Sequence, residues 1–191
     1  MLSIERTDKS ILGRWWWTVD RWLIGALFGL VLAGIILVMA ASPAVADRIG
    51  LPPFHFVIRH IIFLIPALGM MMALSMMQMR NIWRTASALL AGFFVLLIGT
   101  LVFGSDIKGA TRWIHLFGFS LQPSEFIKPA FAVTAAWLIA RQQADPHFPG
   151  MMAATGVYLV LLAMLLLQPD LGMSIVLSLI WGVQIFLAGL S

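Results

Sequence analysis

The chain has 191 residues, of which 61% are hydrophobic and only 10% are charged, with a mean hydropathy of +0.99. This composition excludes a soluble globular domain, because a chain of this length would leave about a third of its surface in water. The absence of cysteine excludes disulfides, thiolate chemistry and cysteine-based metal sites. The net charge of +4 is spread thinly, and indicates membrane topology and anionic-lipid contact rather than nucleic-acid binding.

Six apolar segments follow one another along the chain. They cover residues 22–41, 54–77, 85–103, 125–140, 151–167 and 171–189. A bilayer core takes about 20 helical residues to cross, and the fourth and fifth segments are shorter than this. We therefore expect helix breaks, or mouths of a polar cavity, near their proline-containing ends. The sequence therefore predicts an all-α, polytopic membrane helix bundle. It forms one integral-membrane domain over residues 1–191, with a cytoplasmic amphipathic tail at residues 1–21.

The arginines and lysines between these segments predict the orientation of the chain. Seven of them lie in the tail and in the loops after the second and fourth segments, and three lie in the opposite loops. Because basic residues favour the cytoplasmic side, we expect a cytoplasmic N-terminus. The run "RWWW", Arg14 to Trp17, fits an interfacial aromatic belt just before the first segment.

Two short motifs each place a proline and a carboxylate at the mouth of an apolar segment. The first is "LQPSEFIK", Leu121 to Lys128, and the second is "LQPDLG", Leu167 to Gly172. With the N-terminus inside, both motifs lie on the extracytoplasmic side. In the first motif, Glu125 and Lys128 are three residues apart, which puts them on one face of a helix.

Ionisable groups inside membrane segments cost about 3 kcal/mol each, so they need partners and often mark a functional site. We expect a polar pocket at the outer leaflet, in which Lys128 pairs with Glu125 or Asp170. Arg59, about 8 Å into the second segment, and Arg112, in an outer loop, are then available to bind an anion such as phosphate. The alternative is structural, with Glu125 and Lys128 forming an ion pair at a helix start.

The remaining motifs indicate no metal or nucleotide site. The four histidines, His55, His60, His115 and His147, lack metal-ligand spacing, and no Walker loop, GxGxxG or GxSxG occurs. No cofactor is evident, although the sequence leaves open whether a divalent cation assists. The stretch "GALFG", Gly25 to Gly29, matches the small-xxx-small pattern of close helix contact.

Two stretches carry a more specific pattern. They are "IKGATRWIHLFGFSLQPSEFIKPAFAVTAAWL", Ile107 to Leu138, and "LLLQPDLGMSIVL", Leu165 to Leu177. Together they strongly resemble the SEDS family of bacterial proteins (shape, elongation, division and sporulation). The family elements are a Gly-Ala-x-Arg-Trp loop at residues 109–113, Gln-Pro-Ser-Glu at residues 122–125 with Lys128, and Gln-Pro-Asp-Leu-Gly at residues 168–172. "WWWTVDRWL" and "FVIRH" make the chain more similar to the division members than to the elongation members.

This resemblance implies a bundle of about ten spans in which the chain is the N-terminal half. The main catalytic aspartate of the family lies in a large extracytoplasmic loop to which no position of this sequence corresponds. A chain ending at Ser191 is therefore expected to show no polymerisation above background.

The activity implied by the resemblance is peptidoglycan glycosyl transfer, which polymerises lipid II on the outer face of the bacterial inner membrane at the division septum. Lipid II is a disaccharide-pentapeptide linked to undecaprenyl pyrophosphate. The resemblance implies supporting catalytic roles for Asp170, Glu125 and Lys128. Substrate contacts are implied for Arg59, Arg112, Gln122, Ser124 and Gln168.

The implied partners are a class B penicillin-binding protein, other division proteins and membrane lipids. Two alternatives stay open: a flippase that carries lipid II across the membrane, and a scaffold that recruits a division transpeptidase. Charges within the apolar segments cluster toward the outer side, which favours chemistry over transport, because a transporter needs charged stations along its whole path.

Overall fold

The computed structural model describes residues 11–103, 105–107, 110–116 and 119–189. Within these ranges the helices α1 to α7 span Ile11–Thr18, Arg21–Arg48, His55–Ser75, Met79–Phe103, Pro123–Ala144, Gly150–Leu167 and Leu171–Leu187. The strands β1 to β3 span Ser105–Ile107, Ala110–Leu116 and Phe119–Leu121. The helical class is confirmed, whereas the small sheet between α4 and α5 is an element that the sequence did not predict. Of the predicted amphipathic tail, residues 1–10 lie outside the described residues.

Helices α2 to α7 coincide with the six predicted apolar segments. Among the described residues, Arg21–Arg48, His55–Ser75, Met79–Leu101 and Gly150–Leu167 are long and apolar enough to cross a membrane. Helix α7 is apolar but has only 17 residues. Helix α5 carries Glu125, Lys128 and Arg141, which lower its hydropathy. The count of six spans therefore stays a prediction.

The described chain divides between residues 77 and 78 into two compact units, and the single-domain arrangement stays a prediction. In the first unit α2 packs against α3. The hydroxyl of Ser42 donates to the carbonyl of Pro53 at 2.7 Å and joins α2 to the turn before α3. The indole N–H of Trp15 donates to the hydroxyl of Ser75 at 2.9 Å, so α1 lies at the end of α3.

The close helix contact expected at "GALFG" is not formed within the first unit. A Cβ built at Gly25 or Gly29 meets no atom within 4 Å. Within this unit the two glycines leave the surface of α2 open, because a small residue permits a close approach but does not itself attract a second helix.

The second unit is built around α5, which packs against α4, α6 and α7. Phe131 of α5 is fully buried, and its ring lies 6.3 Å from that of Trp181 on α7 and 6.4 Å from that of Tyr158 on α6. The Tyr158 and Ser178 hydroxyls lie 2.9 Å apart and form a hydrogen bond between α6 and α7. Because α5 has neighbours on several sides, much of its surface faces protein rather than lipid.

The three strands form an antiparallel sheet in the order β1-β2-β3. Strand β2 pairs with β3 in the register Ile114↔Leu121, His115↔Ser120 and Leu116↔Phe119. Strand β2 also contacts α4 and α5. Leu121, the last residue of β3, leads directly into Gln122, so the sheet delivers the chain to the first Gln-Pro motif.

Candidate functional site

The two Gln-Pro motifs meet at one corner of the second unit. The side-chain amide of Gln122, the residue before α5, donates to the carboxylate of Asp170 with Nε2 and Oδ2 3.4 Å apart. The same amide nitrogen donates to the Ser124 hydroxyl at 3.1 Å. The prediction that the two motifs lie close together is confirmed by this contact. We refer to residues 122–128 and 168–174 as the Gln-Pro corner.

Asp170 holds the start of α7. Its carboxylate Oδ1 accepts a hydrogen bond from the backbone N–H of Met173 at 3.3 Å, as expected of a residue that caps a helix N-terminus. Its backbone carbonyl accepts from the Ser174 hydroxyl at 2.8 Å. The residue is only 4% exposed. Buried and hydrogen-bonded at both carboxylate oxygens, Asp170 fixes the corner and offers little surface to a substrate.

Gln168 is directed into the protein. It is 1% exposed, and its amide nitrogen donates to the Thr100 hydroxyl and, at 3.3 Å, to the backbone carbonyl of Leu97. These contacts join the end of α6 to α4. Ser124 is also buried. A substrate contact by Gln168 or Ser124 would require the corner to rearrange, so in this geometry both residues hold the corner together.

Glu125 and Lys128 are the charged groups of the corner that reach its surface. The Lys128 ammonium lies 2.8 Å from the Glu125 carboxylate, and the two side chains are 19% and 48% exposed respectively. Of the two partners predicted for Lys128, the structure selects Glu125. Glu125 lies in the first turn of α5, where a carboxylate interacts favourably with the helix dipole.

An aromatic pair joins the first turn of α5 to α4. The rings of Phe93 on α4 and Phe126 on α5 stack with centroids 4.6 Å apart. Because Phe126 follows Glu125 directly, the stack restricts how far the first turn of α5 can move away from α4.

Arg112 lies on β2. This strand contacts both α4 and α5. The side chain of Arg112, like Gly109 of the same motif, lies outside the described part of the chain. Its contact with an anion stays a prediction.

Arg59 belongs to the first unit. Its side chain is exposed there, and its guanidinium lies 5.8 Å from the ring centroid of Phe63, one turn further along α3. A cation placed over an aromatic face is stabilised without a carboxylate partner. The predicted role of Arg59 in binding an anion stays a prediction.

No group of three or more potential metal-ligating side chains gathers anywhere in the described ranges. His147, in the loop after α5, lies 3.7 Å from the Asp145 carboxylate.

Sequence reasoning missed the partners of Gln168 on α4. Thr100 is completely buried, and its hydroxyl donates to the Leu97 carbonyl at 2.6 Å while it accepts from Gln168. The available signal was a threonine directly after the apolar run of residues 88–99, since a polar side chain inside a membrane helix needs a hydrogen-bonding partner.

The apolar helices and the Gln-Pro corner define a polytopic membrane protein with a polar site at one end of the second unit. The model of the FtsW/RodA/SpoVE family, described as cell cycle protein, matches residues 21–191. The chain belongs to this family.

Curated relatives match nearly all of the chain. A protein of Caulobacter vibrioides named probable peptidoglycan glycosyltransferase FtsW is 41% identical over 188 residues, which cover 98% of this chain and 48% of that protein. A protein of the same name from Escherichia coli O6:H1 is 36% identical over 191 residues, covering 99% of this chain and 45% of that protein. The chain spans about half the length of the curated relatives it matches.

Solved structures show the same fold. The crystal structure of the rod shape determining protein RodA of Thermus thermophilus matches with a TM-score of 0.60 and 27% sequence identity, over 83% of this chain and 54% of that chain. A variant of that protein in which alanine replaces an aspartate matches with a TM-score of 0.61 and 26% identity over the same shares. The chain therefore has a RodA-like fold.

Proposed function

We propose that this chain contributes the Gln-Pro corner to a peptidoglycan glycosyltransferase that polymerises lipid II on the outer face of the cytoplasmic membrane during division. The observation that carries the proposal is the Gln122–Asp170 contact, which assembles two separate motifs into one polar site at a helix mouth. The names of the relatives support the reaction class.

In the proposed reaction a sugar hydroxyl of one lipid-linked chain attacks the anomeric carbon of another. The new glycosidic C–O bond forms as the bond from that carbon to the lipid diphosphate breaks. The hydroxyl proton passes to a carboxylate, and the electron pair of the broken bond leaves with the diphosphate. Catalysis then requires a proton acceptor and cations that stabilise the charge developing on the leaving group.

We assign roles to the residues of the Gln-Pro corner according to their exposure. Glu125 and Lys128 reach the surface, so we assign them to contact with lipid II, with Lys128 holding Glu125 ionised or contacting phosphate. Asp170, Gln168 and Ser124 position the corner from within. Arg59 and Arg112 are proposed to bind the diphosphate, because the arginine fork matches phosphate oxygens.

The proposal includes the membrane orientation of the protein and its partners. The N-terminus is cytoplasmic, so the Gln-Pro corner faces the periplasm, where lipid-linked sugars are polymerised. The proposed partners are a class B penicillin-binding protein and other division proteins at the septum.

The test is reconstitution of the protein encoded by the complete reading frame into liposomes with labelled lipid II. Formation of glycan strands supports the glycosyltransferase. Movement of label to the other leaflet without strands would overturn it in favour of a flippase. Neither strands nor movement, from protein that elutes as a folded species, would overturn it in favour of a scaffold.

A further inference from the structure

A second polar cluster lies at the opposite end of α5 from the Gln-Pro corner. The indole rings of Trp83 on α4 and Trp137 on α5 stack with centroids 4.1 Å apart and an interplanar angle of 8°. Phe148, in the loop after α5, meets Trp137 edge-on at 6.4 Å. Trp137 follows Glu125 by three helical turns, about 18 Å along α5, so this cluster is separate from the corner.

Two arginines lie on these rings. The Arg84 guanidinium is 5.5 Å from the ring centroid of Trp83, and the Arg141 guanidinium is 5.7 Å from that of Trp137 and 4.8 Å from that of Phe148. Both side chains are exposed, and no carboxylate in the described part of the chain forms an ion pair with either. An arginine held over a ring keeps its planar N–H donors available for an anion.

An apolar groove begins next to this cluster. It has a volume of about 400 Å³ and runs between α4 and α6, lined by Ser87, Leu90, Ala91, Phe94, Ala153, Gly156, Val157, Val160 and Leu161. That volume lies within the range of small-molecule sites, about 300–1,000 Å³. On α4, Arg84, Ser87 and Ala91 are spaced by three and four residues, which puts the arginine and the groove on one helix face.

The groove also starts at the same end of α6 as the cluster. Ala153, which lines the groove, is in the first turn of α6. It closely follows Phe148, whose ring contacts the Arg141 guanidinium. A cationic, aromatic mouth is thus continuous with an apolar channel along two helices that are apolar enough to cross a membrane.

We propose that this is a binding site for an anionic phospholipid, with the head-group phosphate attracted by the positive charges of Arg84 and Arg141 and one acyl chain in the α4–α6 groove. A free phosphate would use the arginines but leave the groove unused. The site is separate from the Gln-Pro corner and does not depend on the proposed reaction. Tryptophan and arginine at helix ends are typical of the interface where phospholipid head groups lie.

The head-group part is tested by titrating the detergent-solubilised protein with phosphatidylglycerol, phosphatidylcholine or inorganic phosphate and counting bound molecules by native mass spectrometry. We expect phosphatidylglycerol to bind about tenfold more tightly than phosphatidylcholine, and the double variant Arg84→Gln/Arg141→Gln to lose that preference. Arg48→Gln, which removes an exposed charge at the end of α2, is the matched control and should keep it. Equal binding of both lipids, an unaffected double variant, or an equal loss in the control would overturn the proposal.

The groove is tested separately with Gly156→Phe. Gly156 lines the groove and a Cβ there meets nothing within 4 Å, so a larger side chain can begin at this position without a backbone clash. We expect phosphatidylglycerol binding to fall about tenfold, while Gly182→Phe, at an equally open position on α7, leaves it unchanged. Unchanged lipid binding in Gly156→Phe would overturn the proposal, with a lower melting temperature indicating that protein fills the groove. Competition by inorganic phosphate at the same concentration as the lipid would also overturn it, in favour of a free-anion site.

Discussion

The amide of Gln122 donates to the carboxylate of Asp170 across 3.4 Å and joins the two Gln-Pro motifs through residues that are 48 positions apart in the sequence. Each residue stands just before a helix, Gln122 before α5 and Asp170 before α7. A hydrogen bond at this point couples the positions of two helix starts, so it controls the shape of the surface that Glu125 and Lys128 present.

A double-mutant cycle tests this coupling. Gln122→Ala and Asp170→Ala should each lower the free energy of unfolding by about 1–3 kcal/mol, with Asp170→Ala the larger because it also removes the cap of α7. The double variant should lose less than the sum of the two, with a coupling energy of about 1 kcal/mol. Asp170→Asn, which retains an acceptor for the Met173 N–H, should cost less than Asp170→Ala. Strictly additive losses would show that the two side chains do not interact.

Gln168 should tolerate an apolar side chain better than a carboxylate. Gln168→Leu keeps the volume and removes the donor, and should cost about 1 kcal/mol. Gln168→Glu places a carboxylate against the Leu97 carbonyl and the Thr100 hydroxyl, and should cost about 3 kcal/mol or more. The thermal unfolding midpoints of both variants measure the difference. A glutamate variant as stable as the leucine variant would contradict the buried contact with α4.

Gly150 is required by the close approach of α5 and α6. A Cβ at this position would clash with the backbone carbonyl of Leu138. Gly150→Ala should therefore lower the free energy of unfolding by about 1–3 kcal/mol, as overpacking does elsewhere. The control is Gly92→Ala on α4, where a Cβ meets nothing within 4 Å and alanine favours the helix. If both variants were equally stable, the close approach would be absent.

The orientation of α5 can be measured with single cysteines, because the sequence has none of its own. Cysteine at Glu125 should react with a membrane-impermeant maleimide added outside intact spheroplasts. Cysteine at Gln143, an exposed position in the last turn of α5, should react only after the membrane is permeabilised. The reverse labelling pattern would place the Gln-Pro corner in the cytoplasm and contradict the proposed site of polymerisation.

The positions of the long helices and the meeting of the two motifs were predictable, because both follow from strong local patterns. Apolar runs of membrane length locate α2 to α7. Two proline-carboxylate motifs at helix ends on the same side of a membrane are confined to one surface of the protein, which favours contact between them. The sequence left two possible carboxylate partners for Lys128, Glu125 and Asp170, and the structure pairs it with Glu125.

The direction of the buried side chains was not predictable. Gln168 and Gln122 occupy the same place in similar motifs, yet Gln168 enters the protein toward α4 and Gln122 bonds to Asp170 at the corner. This difference depends on which helices are neighbours, which no local pattern records. The central place of α5 was hidden for a related reason. A helix surrounded by protein can carry more polar residues than a helix that faces lipid. The low hydropathy of α5 therefore makes it a poor candidate span, although it contacts α4, α6 and α7.

The small sheet was missed because its strands are only three to seven residues long. Strands of this length give too few alternations of apolar and polar residues to stand out beside long apolar helices. Strand β2, which carries Arg112, nevertheless contacts α5.

The central claim is that the exposed Glu125–Lys128 pair acts on lipid II, while the residues beneath it hold the corner. The pair itself should contribute about 1 kcal/mol to folding, because the Glu125 side chain is half exposed and water weakens the attraction. The decisive measurement is the rate of glycan-strand formation from labelled lipid II by the protein of the complete reading frame, compared with its Glu125→Ala and Lys128→Ala variants. We expect each variant to keep the thermal midpoint of the parent while the rate falls about 100-fold. Strands formed at the parental rate by both variants would contradict the claim.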